Sequence, residues 1–218
     1  LRSGHGRAAT GTTAKADAPA NSSKDSVLIQ LYVFLGNHGQ QYRNTRHNVA
    51  WQFLDSLGCV SGLTWRRGFK GQWTEMASPA GKVWLLMPET YMNLSGTSVA
   101  EFARFYKVPP TDILVVHDDL ELGFGFFGFK TGGGLGGHNG LRSMKDNLGT
   151  PDYQRLRIGI GRPNHTDISG YVLSDFSRDE REKLDCGIFP AAERAFTVCL
   201  NEGFDKALDQ FKKVNALV

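Results

Sequence analysis

Cysteine is scarce in this chain of 218 residues: there are three, Cys59, Cys186 and Cys199. They are odd in number, widely spaced and without a Cys-x-x-Cys pair, which excludes a disulfide framework and gives no zinc or dithiol motif. Reduced structural thiols are the reading that follows. Long apolar runs are also missing. Even the run from Val27 to Leu35 is interrupted at Gln30, far short of the roughly 20 apolar residues of a membrane span, so no membrane insertion is expected. Neither sign of charge dominates: 25 Lys and Arg against 22 Asp and Glu leave a formal +3, and residues 1–25 hold four of those bases and two of the acids. Global charge therefore does not announce a nucleic-acid partner. There is no Walker-type Gly-Lys-Ser/Thr and no G-x-S-x-G elbow, so NTPase and serine-hydrolase readings lose their usual support. A literal G-x-G-x-x-G occurs twice, at Gly123, Gly125 and Gly128 and at Gly132, Gly134 and Gly137. Neither joins a strand to a helix in a first βαβ unit, and both read as coincidental.

With 40% hydrophobic and 11% aromatic residues, the chain can bury a core of its own and most economically forms one domain. Residues 1–24 are the exception: Gly, Ala, Ser, Thr and Asn with scattered bases bury too little apolar surface to offset the entropy of ordering. They read as a disordered extension, whether an expression remnant, a native tail or the remnant of a targeting peptide. The domain is expected over 25–218.

Four apolar, β-branched-rich segments read as strands: Val27 to Leu35, Lys82 to Met87, Ile113 to His117 and Leu156 to Ile160. Phe69 to Met76 alternates less cleanly and is joined to the second of them by Ser78-Pro79-Ala80-Gly81, which predicts a hairpin. Helical spacing marks Val49, Ala50, Phe53, Leu54 and Leu57, and again Val99, Phe102, Ala103 and Tyr106. Ser98 with Glu101 and Ser177 with Glu180 are candidate capping boxes. Pro190 should kink or divide the C-terminal helical region before a last helix near Phe204 to Lys213. This alternation predicts an α/β fold, a single layered domain with a mostly parallel, mixed central sheet flanked by helices.

Ligands of such sheets bind beyond the carboxyl ends of the strands, and the polar residues of interest fall there. His47 stands at the start of a helix after the first strand, as a surface residue or as a general base. Asn93 lies between a strand and a helix, and by itself reads as a cap or turn residue. Asp118 follows a strand, where a carboxylate orients an imidazole, caps the turn or binds a cation. The glycines from Gly132 to Gly140 free the backbone to approach a ligand and expose its amides.

Taken in order, Leu35-Gly36-Asn37, Thr45-Arg46-His47-Asn48, Tyr91-Met92-Asn93-Leu94-Ser95-Gly96, His117-Asp118-Asp119 and Gly136-Gly137-His138-Asn139-Gly140-Leu141 closely resemble bacterial-type peptidyl-tRNA hydrolase. The likeness continues through Arg155 to Pro163 and covers about residues 27–213. The resemblance implies an esterase that frees tRNA from a peptide at its 3′ end. It makes His47 the catalytic base, Asp118 its orienting partner, and Asn37, Asn93 and Asn139 polar ligands of the substrate. Asn93 is then the donor to the oxyanion, Tyr42 and Met92 shape the site, and Lys130 and Arg157 grip a tRNA phosphate. It further implies a cytoplasmic monomer with peptidyl-tRNA as partner, no cofactor and no metal.

The sequence departs from the family pattern at Phe34 and His38, where Gly and Pro are usual, and at Gly128, where a second base is common. The Leu122-Gly123-Phe124-Gly125 segment also lacks the expected Pro. These changes bear on the turn presenting Asn37 and on tRNA affinity. Two other readings compete: a non-catalytic RNA-binding relative of the same fold, and a metal-dependent hydrolase using His117, Asp118, Asp119 and His138.

Overall fold

The computed structural model describes residues 27–218 except Ala80 and His165; the extension expected over residues 1–24 lies outside the described residues. The chain runs through β1 (Leu31–Phe34), α1 (Val49–Ser56), β2 (Arg66–Gly68), β3 (Gly71–Ser78), β4 (Gly81–Pro88) and α2 (Ser95–Tyr106). It continues through β5 (Ile113–Asp119), β6 (Phe126–Thr131), α3 (Asn139–Leu148), β7 (Gln154–Gly159) and α4 (Ile168–Val172). It closes with α5 (Arg178–Lys183), α6 (Phe189–Glu202), α7 (Phe204–Gln210) and β8 (Val214–Asn215).

The strands form one eight-stranded sheet in the order β2-β3-β4-β1-β5-β7-β6-β8. Its four central strands β4, β1, β5 and β7 are parallel, and its margins pair antiparallel. The mixed sheet and its flanking helices match the expected class. Strand β1 is buried on both faces, which is why its sequence shows no polar alternation. Tyr32 and Phe34 face one apolar cluster with α1, α6 and α7, while Leu31 and Val33 face a second with α2 and α3. Phe34, Phe53 and Phe196 are fully buried in the first, each worth roughly 2–3 kcal/mol of transfer free energy.

The predicted hairpin is present: β3 and β4 pair from Gly71↔Pro88 to Ser78↔Gly81. Several boundaries differ for identifiable reasons. The first strand begins only at Leu31, because Val27 is drawn off to the last helix, its carbonyl accepting from Phe204 N and its N–H donating to Asp205. The box at Ser98 does not form. Helix α2 starts at Ser95, buried Ser98 donates instead to the carbonyl of Phe69, and Glu101 pairs with Lys70. The box of Ser177 and Glu180 does cap α5. Pro190 sits in the first turn of α6, where its missing N–H is harmless, and the division before it is a π-helical turn over Leu184–Ile188. The last helix stops at Gln210, and Val214–Asn215 adds an edge strand beside β6.

Candidate active site

The carboxyl ends of β1, β4 and β5 lie side by side, so the loops that leave them converge. After β1 the chain makes 3-10 turns over Gln40–Tyr42 and Arg46–Asn48 before α1. Buried Asn48 clamps this loop on itself: its Oδ1 accepts from Asn37 N at 2.8 Å and its Nδ2 donates to Asn37 O at 3.0 Å. Asn37 in turn accepts the N–H of Met92 on its side-chain oxygen at 2.8 Å, tying the loop after β1 to the turn after β4. From the other side, Arg46 N donates to Ser174 O, and the Arg46 guanidinium makes two 2.9 Å bonds to Glu180 while lying over the rings of Tyr171 and Phe176. His47 is held between these anchors.

Asp118, the penultimate residue of β5, is 3% exposed and His47 is 8% exposed. Their atoms meet at 2.9 Å, His47 Nδ1 to Asp118 Oδ1. The carboxylate accepts, so Nδ1 carries the proton and Nε2 keeps its lone pair. Burial pushes the affinity of His47 for a proton down, but the charge and hydrogen bond of Asp118 prevail and its pKa is raised above the usual imidazole value. Burial alone would raise Asp118; the charges and N–H donors of His47 and His138 overcome it and hold the carboxyl well below the usual carboxylate range. An ionised, oriented carboxylate behind an imidazole with a free Nε2 is the arrangement of a general base.

His138 completes the group. It is the N-cap of α3, accepting on Nδ1 from Gly140 N at 3.0 Å and Leu141 N at 3.3 Å, and its Nε2 lies 3.0 Å from Asp118 Oδ1. Backbone N–H groups only donate, so the ring proton is on Nε2 and goes to the carboxylate. Ligand atoms of His47, Asp118 and His138 lie within 4.8 Å of one another, close enough to suggest a metal. Hydrogen bonding accounts for the same closeness: His47 Nδ1 and His138 Nε2 both donate to Asp118 Oδ1, and an ion bound through those two nitrogens would have to displace both protons. The other residues of the metal-dependent reading are also engaged, His117 Nδ1 donating to Asp118 O at 2.7 Å and Asp119 pairing with Arg157 at 3.3 Å. Burial, with repulsion from His138 and Arg155, keeps the pKa of His117 well below the usual value.

A cavity of about 760 Å³ opens beside the pair, walled by His47, Asp118, Lys130, Asn139, Arg155 and Arg157 among others. Its floor follows from sheet register: His117 pairs with Arg157, Arg157 with Gly128, and Arg155 with Lys130, which puts these side chains on one face. Arg155 is 1% exposed and holds the glycine loop by donating to the carbonyls of Gly134 and Gly133. Gly128 has no room for the base common at its position, since a Cβ there would lie 2.3 Å from Lys212 O.

Of the residues singled out from sequence, His47, Asp118, Lys130, Asn139 and Arg157 share this cavity. Among the described residues that wall it, Asn37, Tyr42, Met92 and Asn93 do not appear. Asn37 and Met92 are buried in the clamp, Tyr42 is half-buried in its 3-10 turn, and Asn93 is exposed in the turn Met92–Leu94. Despite the departure at His38, the clamp on Asn37 is complete. Sequence reasoning missed Asn48, Arg155 and the capping role of His138. Arg155 left a signal, a cation two residues before Arg157 and on the same strand face; Asn48 and His138 stood inside recognised motifs with no hint of their partners.

Comparison with known proteins agrees with this geometry. The family profile for peptidyl-tRNA hydrolase matches residues 31–217. The chain is 44% identical over 186 residues to a peptidyl-tRNA hydrolase of Geobacter, covering 85% of this chain and 98% of that one. It is 47% identical over 167 residues to that of Neisseria meningitidis, covering 73% and 85%. Its fold is similar to the crystal structure of peptidyl-tRNA hydrolase from Acinetobacter baumannii, with a TM-score of 0.77, 38% identity and coverage of 85% and 95%. The matched region carries the clamp, the His47–Asp118 pair and the cationic floor alike, and the chain belongs to the peptidyl-tRNA hydrolase family.

Proposed function

We propose that this chain hydrolyses the ester between a peptide and the 3′ ribose of tRNA, returning free tRNA and free peptide. The observation that carries the reading is the 2.9 Å contact that orients His47 on buried Asp118 at the wall of a cationic cavity. Water gives a proton to His47 Nε2 and its oxygen attacks the ester carbonyl. Asp118 stabilises the imidazolium, and the Asn93 amide donates to the tetrahedral oxyanion. Collapse breaks the bond to the ribose oxygen, which takes the proton back from Nε2. No covalent enzyme intermediate forms.

Lys130 and Arg157 receive phosphate of the tRNA in the cavity, where a guanidinium and an ammonium offer charge-assisted donors. Asn37 and Asn139 hold the peptide backbone and the tRNA 3′ end, with Tyr42 and Met92 shaping the approach. The same reading makes the protein a monomer acting in the cytoplasm on peptidyl-tRNA; among the described residues no helix is long and apolar enough to cross a membrane. A binding relative without activity is less favoured, because an intact base and its carboxylate have no task in such a protein.

The test is release of tRNA from an N-acylated aminoacyl-tRNA, with free aminoacyl-tRNA as the control substrate and chelator present throughout. Cleavage of the N-blocked ester alone, unaffected by chelator, supports the reading. Binding of tRNA with the ester left intact overturns it.

A further inference from the structure

Two imidazoles share one oxygen in this site. His47 Nδ1 and His138 Nε2 lie 2.9 Å and 3.0 Å from the same atom, Asp118 Oδ1, and the two rings are 4.8 Å apart between centroids. Only His47 has a nitrogen left over. Both nitrogens of His138 are engaged, one by the carboxylate and the other by the backbone N–H groups that open α3.

The surrounding charges leave Asp118 as the dominant influence on His47. Arg46, its chain neighbour, is neutralised by Glu180 of α5, and Tyr171 of α4 lies on that pair. Across the cavity Arg157 is paired with Asp119 and Arg162 with Glu121, while His117 stands edge-on behind His138 at 5.2 Å. Lys130 and Arg155 are the other charged groups on the cavity wall, Arg155 being held on the carbonyls of Gly133 and Gly134.

We propose that His138 is a positioning residue that tempers the grip of Asp118 on His47, by donating to the very oxygen on which His47 depends. A carboxylate oxygen satisfied by two N–H donors attracts a third positive charge less strongly than one satisfied by a single donor. Without the second donor, His47 would hold its proton too firmly to return to the neutral base at the pH where it must act, since a base works best when its proton affinity lies near the working pH. The helix contributes to the device: its first N–H groups fix the tautomer of His138, so the cap of α3 and the state of the base are mechanically linked. This inference rests on the reading of His47 as the base.

Two substitutions separate the electrostatic role from the capping role. In His138→Asn the amide oxygen replaces Nδ1 as an N-cap acceptor, but the side chain stops short of Asp118. In His138→Gln the amide nitrogen extends to where Nε2 stood. Titration of the His47 ring followed by NMR in the three proteins, together with kcat/KM against pH, is the experiment. The His47 midpoint is expected to rise by about one pH unit in His138→Asn, the size of one hydrogen bond to a charged group, and to return toward the wild-type value in His138→Gln. The acid limb of kcat/KM is expected to move with it. An unmoved or lowered midpoint in His138→Asn, or the same midpoint in both variants, overturns the proposal. A midpoint that rises while the acid limb stays in place upholds the tempering and refutes His47 as the base.

Discussion

Arg155 Nη1 donates to the carbonyl oxygen of Gly134 at 2.7 Å, and Nη2 to that of Gly133 at 3.0 Å, so a guanidinium rising from β7 carries the loop that roofs the cavity. The loop needs such support, because Gly132, Gly133, Gly136 and Gly137 all have positive φ and glycine backbone is the freest to move. Replacing Arg155 by Met keeps much of the volume and removes both bonds. Steady-state kinetics on N-acylated aminoacyl-tRNA should show KM raised roughly tenfold, the equivalent of about 1.4 kcal/mol, with a smaller change in kcat. An unchanged KM would show that the loop holds its shape unaided.

The bidentate pair of Arg46 and Glu180 fastens the His47 turn to α5. Glu180 is pushed up by burial but held below the usual range by its bonds to Arg46 and Ser177. A depressed carboxyl contributes stability above its unfolded value, lost as pH falls through the folded one. The Glu180 side chain is 26% exposed, so solvent screens part of the interaction. Glu180→Ala is expected to lower stability by about 1–3 kcal/mol in urea unfolding at neutral pH, with a smaller difference from wild type in acid.

Helices α2 and α3 cross at Gly96, where an added Cβ would lie 2.0 Å from Ser143 O, and Gly96 N already donates to Ser143 Oγ. The obstacle is backbone, so it cannot rotate away. Gly96→Ala should destabilise by about 1–3 kcal/mol as overpacking does, visible as a lower melting temperature. Because α3 carries His138 at its head, activity at permissive temperature should fall as well.

Two pH effects have opposite origins. In the proposed mechanism His47 acts as the neutral base, and its affinity for a proton is raised, so kcat/KM should decline as pH falls through a value above about 6.5. In Asp118→Asn the raising charge is gone and burial remains: the rate drops and the acid limb moves to lower pH. His117 works on stability instead. Its folded pKa is depressed, so the unfolded chain binds the extra proton and stability falls as pH drops below about 6.5, by up to about 1.4 kcal/mol per pH unit. Unfolding of His117→Gln measured between pH 7 and 5 should lack this component.

Much of this was legible in the residues. Unbroken apolar runs announced the buried parallel strands β1 and β5, and the order of polar motifs at strand ends located the site. What stayed hidden depended on partners distant in the chain. The turn Phe69-Lys70 has φ of 52° and 55° without the Gly or Asn that marks such turns; Phe69 is held there by packing on Phe102 and Trp73. Strand β6, Phe-Phe-Gly-Phe-Lys-Thr, was obscured by Gly128, whose smallness answers to the C-terminal segment passing beside it. The sequence motif placed His138 near the site, but only the start of α3 shows which of its nitrogens is free to donate.

The most direct test of the account is single-turnover hydrolysis of an N-acylated aminoacyl-tRNA by the wild-type protein and by His47→Ala. Binding of tRNA should be retained, and the rate of ester cleavage should fall by about 10² to 10⁴, the usual contribution of a general base. Cleavage by His47→Ala at the wild-type rate would contradict the account at its centre.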